Sequence, residues 1–142
     1  VVVPVGTAYQ DILDYVGVKG ELGKVVAGGA MMGPAVENLS YPTTKTTSGL
    51  IMLSAAAAEP PQVNPCIRCG RCVEYCPMGL EPVEVNQAYA ARDVQELGKL
   101  HVDYCFNCGS CTFVCPAKRP CTQMMGLAKA FYLGEIKKGG NK

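Results

Sequence analysis

The sequence carries almost no net charge and no long apolar run. Its 142 residues include 13 Lys and Arg and 12 Asp and Glu, a net charge of +1, which creates no basic field for nucleic acid. The longest apolar run, residues 49–58 with Ser54 inside it, is too short to span a bilayer. No signal peptide is visible. We expect a soluble chain and, because it begins at Val1 without a methionine, a fragment of a longer polypeptide.

The chain also lacks a recognisable catalytic set. It has one histidine, His101, and neither a Ser/His/Asp arrangement nor a carboxylate pair suited to general acid and base work. What it does contain is nine cysteines. Eight of them form two copies of C-x2-C-x2-C-x3-C-P, at residues 66–77 and 105–116. Bacterial proteins that bind two [4Fe–4S] clusters use this run.

The spacing predicts which cysteines share a cluster. Each iron corner of the cube needs a soft anionic ligand, and thiolates supply it best. Three cysteines separated by two residues can wrap around three corners of one cube, and the fourth ligates the other cluster. The first cluster is predicted to bind Cys66, Cys69, Cys72 and Cys115. The second is predicted to bind Cys105, Cys108, Cys111 and Cys76.

Two other interpretations of the cysteines stay open, namely two structural zinc sites and a disulfide framework. An odd cysteine count in a cluster spacing favours a reducing compartment. The ninth cysteine, Cys121, could be a spare ligand, a redox-sensitive thiol or a small buried hydrophobe, and we predict the last. Since eight cysteines already fill two cubes, His101 is predicted to have a surface or capping role.

Residues between the ligands suggest further roles. Gly70 and Gly109 stand at equivalent places, where a Cβ would obstruct the approach to a cluster. Arg68 and Arg71 lie inside the first run, where they could meet a partner or raise the potential of that cluster. Apolar side chains next to the ligands are expected to shield the clusters from water; they are Ile67, Val73, Phe106, Phe113 and Val114.

Residues 1–58 predict a small α+β unit without metal ligands. Val1–Val5 is predicted to be a strand. Thr7 and Gln10 are predicted to form a capping box that begins a helix, which ends at Gly17. Further strands are predicted at 24–27 and, buried, at 48–54. This order suggests a β-grasp. The glycine-rich segment 27–34 is predicted to be a tight turn whose two methionines fill the core.

Residues 59–65 predict a linker, because Pro60 and Pro61 stiffen the chain. Residues 66–142 then predict an all-helical ferredoxin unit with two clusters. Helices are expected at about 82–92, at 94–100, and after Cys121, the last with an apolar face. That face comprises Met124, Ala128, Phe131 and Tyr132, with Lys137 and Lys138 near the helix end.

The motifs together resemble a known family. A Val-Pro-Val-Gly-Thr segment, a Gly-Gly-Ala-Met-Met-Gly-Pro loop and a Pro-rich link precede Cys-Ile-Arg-Cys-Gly-Arg-Cys-Val-Glu-Tyr-Cys-Pro-Met-Gly-Leu. This order is similar to the C subunit (RnfC/RsxC) of the Rnf/Rsx ion-translocating electron transport complex over nearly the whole chain. Cys121 is a departure with no family role assigned.

The resemblance implies a ligand-binding β-grasp domain of the SLBB type, followed by a two-cluster ferredoxin domain. In that family the complex moves electrons between ferredoxin and NAD, coupled to sodium or proton movement, and RnfC is peripheral on the cytoplasmic face of the bacterial inner membrane. FMN and NAD(H) bind an upstream domain that this sequence does not include. The fragment alone is therefore expected to relay electrons between partner subunits, with ferredoxin as a further partner, rather than to catalyse. Alternatives are the electron-transfer subunit of a cobalamin reductase and a zinc-stabilised interaction module.

Overall fold

The chain divides into two units. In a computed structural model that describes residues 1–139, the first unit is Val1–Pro60 and the second begins at Pro61. The predicted domains were 1–58 and 66–142 with a linker between them, and the last three residues of the second lie outside the described part. Together the units give a mixed α+β chain with one small sheet and a helical cysteine-rich part.

The first unit is built around a two-stranded antiparallel sheet. Helix α1 spans Tyr9–Val16, strand β1 spans Leu22–Ala27, strand β2 spans Leu50–Ser54, and the single-turn helix α2 spans Ala55–Ala58. In the register of the sheet, Val25 of β1 lies opposite Met52 of β2. Both strands were predicted, because β-branched and large apolar side chains favour a pleated surface.

Two predictions near the N-terminus are wrong. Val1–Val5 is not a strand, since its valines are mostly exposed and Pro4 cannot donate a ladder hydrogen bond. Thr7 does not cap α1. The residue before the helix is Ala8, which makes no side-chain cap, and the Thr7 hydroxyl instead donates to the Pro4 carbonyl at 2.8 Å. The predicted helix end is confirmed, because Gly17 adopts a left-handed conformation there.

Little of the first unit is buried. Its buried residues are Tyr9 and Leu13 of α1, Val25 of β1 and the polar Thr43. Strand β2 was predicted to be buried, but none of its residues is. The prediction that Met31 and Met32 fill the core is also wrong, since they are 48% and 59% exposed. With one two-stranded sheet among the described residues, the unit has too little surface to cover these side chains.

All regular secondary structure in the described part of the second unit is helical. Its longer helices are α4 (Pro82–Ala90), α5 (Val94–Lys99) and α7 (Cys121–Gly139). Two single-turn helices, α3 (Arg71–Glu74) and α6 (Ser110–Phe113), lie within the cysteine runs. A short 3₁₀ helix spans Val102–Tyr104. The predicted helices are confirmed, with Pro82 in the first turn of α4, where a missing N–H costs nothing.

The apolar core of this unit forms where α4, α5 and α7 meet. Its buried members are Leu80, Val85, Ala88, Leu97, Val102, Met125 and Ala128. On α7 the predicted apolar face is confirmed at Ala128, Phe131 and Tyr132. Its methionine is wrong, because Met125 is buried and Met124 is only half-buried. At the edge of the core the rings of Tyr89 and Phe131 meet edge to face at 5.8 Å. The guanidinium of Arg92 covers both rings at 4.6 and 5.0 Å.

None of the helices in the described residues 1–139 has the length and apolar character needed to cross a membrane.

Replacing Gly33 by alanine should destabilise the first unit. A Cβ at this position would lie 2.6 Å from Cγ1 of Val26 and 2.7 Å from the carbonyl oxygens of Ala27 and Gly29. Because two of these neighbours are backbone atoms, the loop must shift, and overpacking of this kind costs about 1–3 kcal/mol. The matched control is Gly29→Ala, whose Cβ would meet no atom within 4 Å. Thermal unfolding followed by circular dichroism measures both. Equal stability of the two variants would contradict the close packing of the loop.

Candidate metal centres

The two cysteine runs adopt the same backbone conformation. Gly70 and Gly109 precede the single-turn helices α3 and α6, with φ of 76° and 90°. Two residues earlier, Arg68 and Asn107 are also left-handed, with φ of 51° and 56°. Among protein atoms, a Cβ on Gly70 would meet nothing within 4 Å. The left-handed turn, rather than a close protein contact, is therefore what favours glycine there.

The backbone conformations of the two runs also agree after the fourth cysteine of each run. The N–H of Gly79 donates to the Cys76 carbonyl at 3.0 Å, and the N–H of Lys118 donates to the Cys115 carbonyl at 3.1 Å. Gly79 and Lys118 are again left-handed, with φ of 64° and 54°. Helices α3 and α6 contact each other. The two runs thus form a repeated pair of loops that lie side by side.

One cavity lies against the first run. It has a volume of about 250 Å³. Its cysteines are Cys66, Cys69, Cys72, Cys115 and Cys121. Three therefore come from the first run, one is the last cysteine of the second run, and one belongs to α7. We refer to it as the first cavity.

A second cavity lies against the second run. Its cysteines are Cys76, Cys105, Cys108 and Cys111. It is narrower, about 20 Å³, and its walls include Leu80, Pro82, Thr122 and Met125. The donor set rather than the volume makes it a candidate metal centre. Each cavity therefore combines three cysteines of one run with the fourth cysteine of the other.

The donors fit iron–sulfur clusters in number and kind. A [4Fe–4S] cube needs four thiolates spread around its corners, and each cavity supplies at least four cysteines. Within residues 1–139, no three His, Cys, Asp or Glu side chains converge on a point that would suit a single metal ion. The cysteines stand around a space instead of meeting at one point.

Polar groups lie next to the sulfurs of the second cavity. The N–H of Leu80 donates to Sγ of Cys76 at 3.3 Å. The hydroxyl of Thr122 lies 3.4 Å from Sγ of Cys111, and that of Ser110 lies 3.4 Å from Sγ of Cys108. Hydrogen bonds to ligand sulfurs are one of the means by which a protein sets the cluster potential. Sequence reasoning missed these groups. Thr122 reaches its sulfur from α7 through tertiary packing, whereas Leu80 and Ser110 lie four and two residues from their cysteines and could have been found from the spacing.

Burial raises the pKa of the most deeply buried thiols. Desolvation raises the pKa of Cys72 and of Cys111, and for Cys111 a hydrogen bond from Thr122 partly opposes the rise. Desolvation, followed by the neighbouring Cys115, raises the pKa of Cys121 to about 12. Without metal these thiols hold their protons at neutral pH, so ligation must release them.

Cys121 is buried, with 5% of its surface exposed, as predicted. Its place in the wall of the first cavity was not predicted. The spacing after each run could have indicated it. Cys121 follows Cys115 by six residues, and Pro82 follows Cys76 by six. Pro82 lines the second cavity and, like Cys121, begins a helix.

The rim of the first cavity is cationic. Arg68, Arg71 and Arg119 line it, and no Asp or Glu does so among the described residues. In the second cavity the described lining residues carry no formal charge other than that of ionised cysteine. The two centres therefore differ in their electrostatic surroundings.

The apolar shield around the clusters stays a prediction. Ile67 lines the first cavity and is 67% exposed, and Phe113 is 76% exposed. Val73 and Phe106 are exposed as well, whereas Val114 is half-buried. His101 is exposed, as predicted, and its ring stacks on Tyr104 at 5.3 Å between centroids.

Comparisons with known proteins agree with this geometry. Residues 65–118 match the 4Fe–4S dicluster domain. The chain is 38% identical over 97 residues to the C subunit of the ion-translocating oxidoreductase complex of Rhodobacter capsulatus, an overlap of 68% of this chain and 19% of the relative. It is 41% identical over 83 residues, 58% of this chain and 18% of the relative, to the C subunit of the proton-translocating ferredoxin:NAD(+) oxidoreductase complex of Clostridium ljungdahlii.

A third relative, the C subunit of the Na(+)-translocating ferredoxin:NAD(+) oxidoreductase complex of Acetobacterium woodii, is 35% identical over 91 residues, 63% of this chain and 20% of the relative. The chain thus spans about a fifth of the length of these relatives. The dicluster match and the eight-cysteine pattern imply two [4Fe–4S] clusters, which transfer electrons. The chain is RnfC-like, a partial match to the C subunits of ion-translocating oxidoreductase complexes with a 4Fe–4S dicluster domain at residues 65–118.

Proposed function

We propose that this chain relays single electrons within the peripheral RnfC-type subunit of a membrane-bound complex that moves electrons between ferredoxin and NAD, coupled to ion translocation. The observation that supports this proposal most directly is the pair of cavities, each lined by three cysteines of one run and the fourth cysteine of the other. When bound there, each cluster accepts and releases one electron at a time. Relatives that match part of this chain are named as subunits of such complexes.

The proposed ligands follow from the walls of the cavities. The first cluster is held by Cys66, Cys69, Cys72 and Cys115, and the second by Cys105, Cys108, Cys111 and Cys76. Because each run ligates both clusters, the two centres are held side by side. That arrangement suits exchange of electrons between them.

The chain's other residues tune and position the two centres. At the first cavity the arginines favour the more negative, reduced state, because opposite charges attract. At the second cavity the Leu80 N–H and the Thr122 hydroxyl stabilise thiolate charge. No residue near either cavity has the arrangement of a catalytic acid, base or nucleophile among those described. The fragment is therefore proposed to relay electrons rather than to transform a substrate.

We propose that the first unit is a β-grasp of the SLBB type. Strand β1 supports this assignment because it is paired on both sides. Val26 lies opposite Ile51 of β2 and also forms an isolated bridge with Ala35. A second bridge joins Ala8, next to α1, to Pro42. Helix α1 together with these antiparallel pairings supports a reduced β-grasp.

The full-length protein is proposed to include more than this chain. The match covers only about a fifth of each relative, and by resemblance an upstream domain binds FMN and NAD(H). Reaction with NAD belongs to that domain. The whole protein is proposed to sit on the cytoplasmic face of the bacterial inner membrane, with the other subunits and ferredoxin as partners.

Metal analysis tests the relay directly. Chain purified without oxygen should be brown and contain about eight iron atoms and a matching amount of sulfide. Colourless protein that holds two zinc ions would exclude electron relay and support the zinc-stabilised module. Iron, sulfide and zinc are measured on the same sample, with visible absorption as the check on cluster integrity.

The crossed ligation predicts an unusual effect of Cys76→Ala. This change should damage the cluster held mainly by the distant second run, because Cys76 lines the cavity of Cys105, Cys108 and Cys111. Its EPR spectrum should therefore match that of Cys108→Ala. A spectrum that matches Cys69→Ala, in the same run as Cys76, would show that each run ligates its own cluster.

Removing one rim charge should lower the potential of the first cluster. Arg71 is exposed and lines the first cavity, so Arg71→Gln should lower the potential of that cluster by roughly 20–40 mV. The effect should shrink at high salt, which screens exposed charge. The matched control is Lys137→Gln, an exposed cation that lines neither cavity. EPR-monitored redox titration measures both. An equal shift in the control would show that net charge, not the rim, sets the potential.

A further inference from the structure

Cys121 is a fifth cysteine of the first cavity. It lines the same cavity as the four proposed ligands of the first cluster. With 5% of its surface exposed, it has little access to solvent. It is the first residue of α7, and its N–H donates to the Arg119 carbonyl at 2.8 Å. The helix start therefore holds its side chain at the cavity.

The immediate neighbours of Cys121 are other sulfurs. It packs in one buried group with Cys72 and Cys111, and the half-buried Cys115 adjoins that group. Cys115 is the proposed fourth ligand of the first cluster. A fifth thiol thus lies beside the ligand that comes from the other run.

The second cavity offers an internal comparison. The place equivalent to Cys121 is Pro82, since each follows the fourth cysteine of its run by six residues and each begins a helix. Pro82 lines the second cavity as Cys121 lines the first. Proline has no donor atom for iron. The second cavity therefore has four cysteines and the first has five.

We propose that Cys121 is a reserve ligand of the first cluster, able to occupy the coordination place of Cys115 when that thiolate is lost. This inference rests on the proposed function, since it requires a cluster in the first cavity. The exchange is one thiolate for another. The bond from iron to the Cys115 sulfur breaks and that sulfur takes up a proton, while Cys121 releases its proton as its sulfur binds the iron. Neither the iron valence nor the charge of the ligand set changes. The first cluster then tolerates the loss of its fourth ligand, Cys115, whereas the second cluster does not tolerate the loss of Cys76.

The test compares the two fourth ligands. Cys115→Ala should keep both four-iron clusters, about eight irons per chain, with a changed EPR spectrum for the first cluster. Cys76→Ala is the matched control: it removes the fourth ligand of the cavity that has no fifth cysteine. It should lose iron and show the EPR signal of a three-iron cluster after oxidation. The double variant Cys115→Ala with Cys121→Ala should behave like Cys76→Ala, now at the first cluster.

Further variants keep the outcome decisive. Cys121→Ala alone should keep both clusters, and loss of iron there would overturn the reserve role by making Cys121 an obligatory ligand. Equal iron loss in Cys115→Ala with and without Cys121 would also overturn it. Where Cys115→Ala does not fold, Cys115→Ser with and without Cys121→Ala gives the same comparison. A wild-type chain without clusters would instead refute the proposed function, so the two failures are distinguishable.

Discussion

The second unit depends on where the fourth cysteine of each run lies. Cys76 lines the cavity of the second run, and Cys115 lines that of the first. This crossing requires α3 and α6 to stand side by side, as they do. It also requires the same left-handed turn in both loops, which Gly70 and Gly109 adopt. The helices α4, α5 and α7 then need to supply only a modest apolar core, because metal ligation contributes to folding free energy.

The repeated loops produce two centres that are alike in ligands and different in surroundings. The first cavity is wider and has a rim of arginines, whereas the second is narrow and has polar groups against its sulfurs. Charge near a cluster and hydrogen bonds to its sulfurs both act on its potential. A duplicated motif can therefore hold two clusters of different potential without any change in the ligands. The clearest break in the repeat is Cys121, which stands where the other half has Pro82.

Sequence patterns predicted the helices of the second unit better than the first unit. The apolar positions of α4 and α5 and the proline that begins α4 were readable, because their period and caps are local. On α7 only the methionine of the predicted face was wrong, since Met124 and Met125 have the same chemistry and only packing distinguishes them. In the first unit, Val1–Val5 has strand propensity but no neighbouring strand to pair with among the described residues.

By itself the sequence determined the donor chemistry: eight cysteines at a spacing that suits two cubes, and a ninth outside both runs. Ligand type and loop spacing are local properties, so they can be predicted from the sequence alone. Only the tertiary structure decided which side chains surround those sulfurs. It placed Thr122 beside Cys111, and Arg119 and Cys121 in the wall of the first cavity. Thr122 and Cys121 belong to α7 and Arg119 to the segment before it, and no local pattern encodes which distant segments will meet.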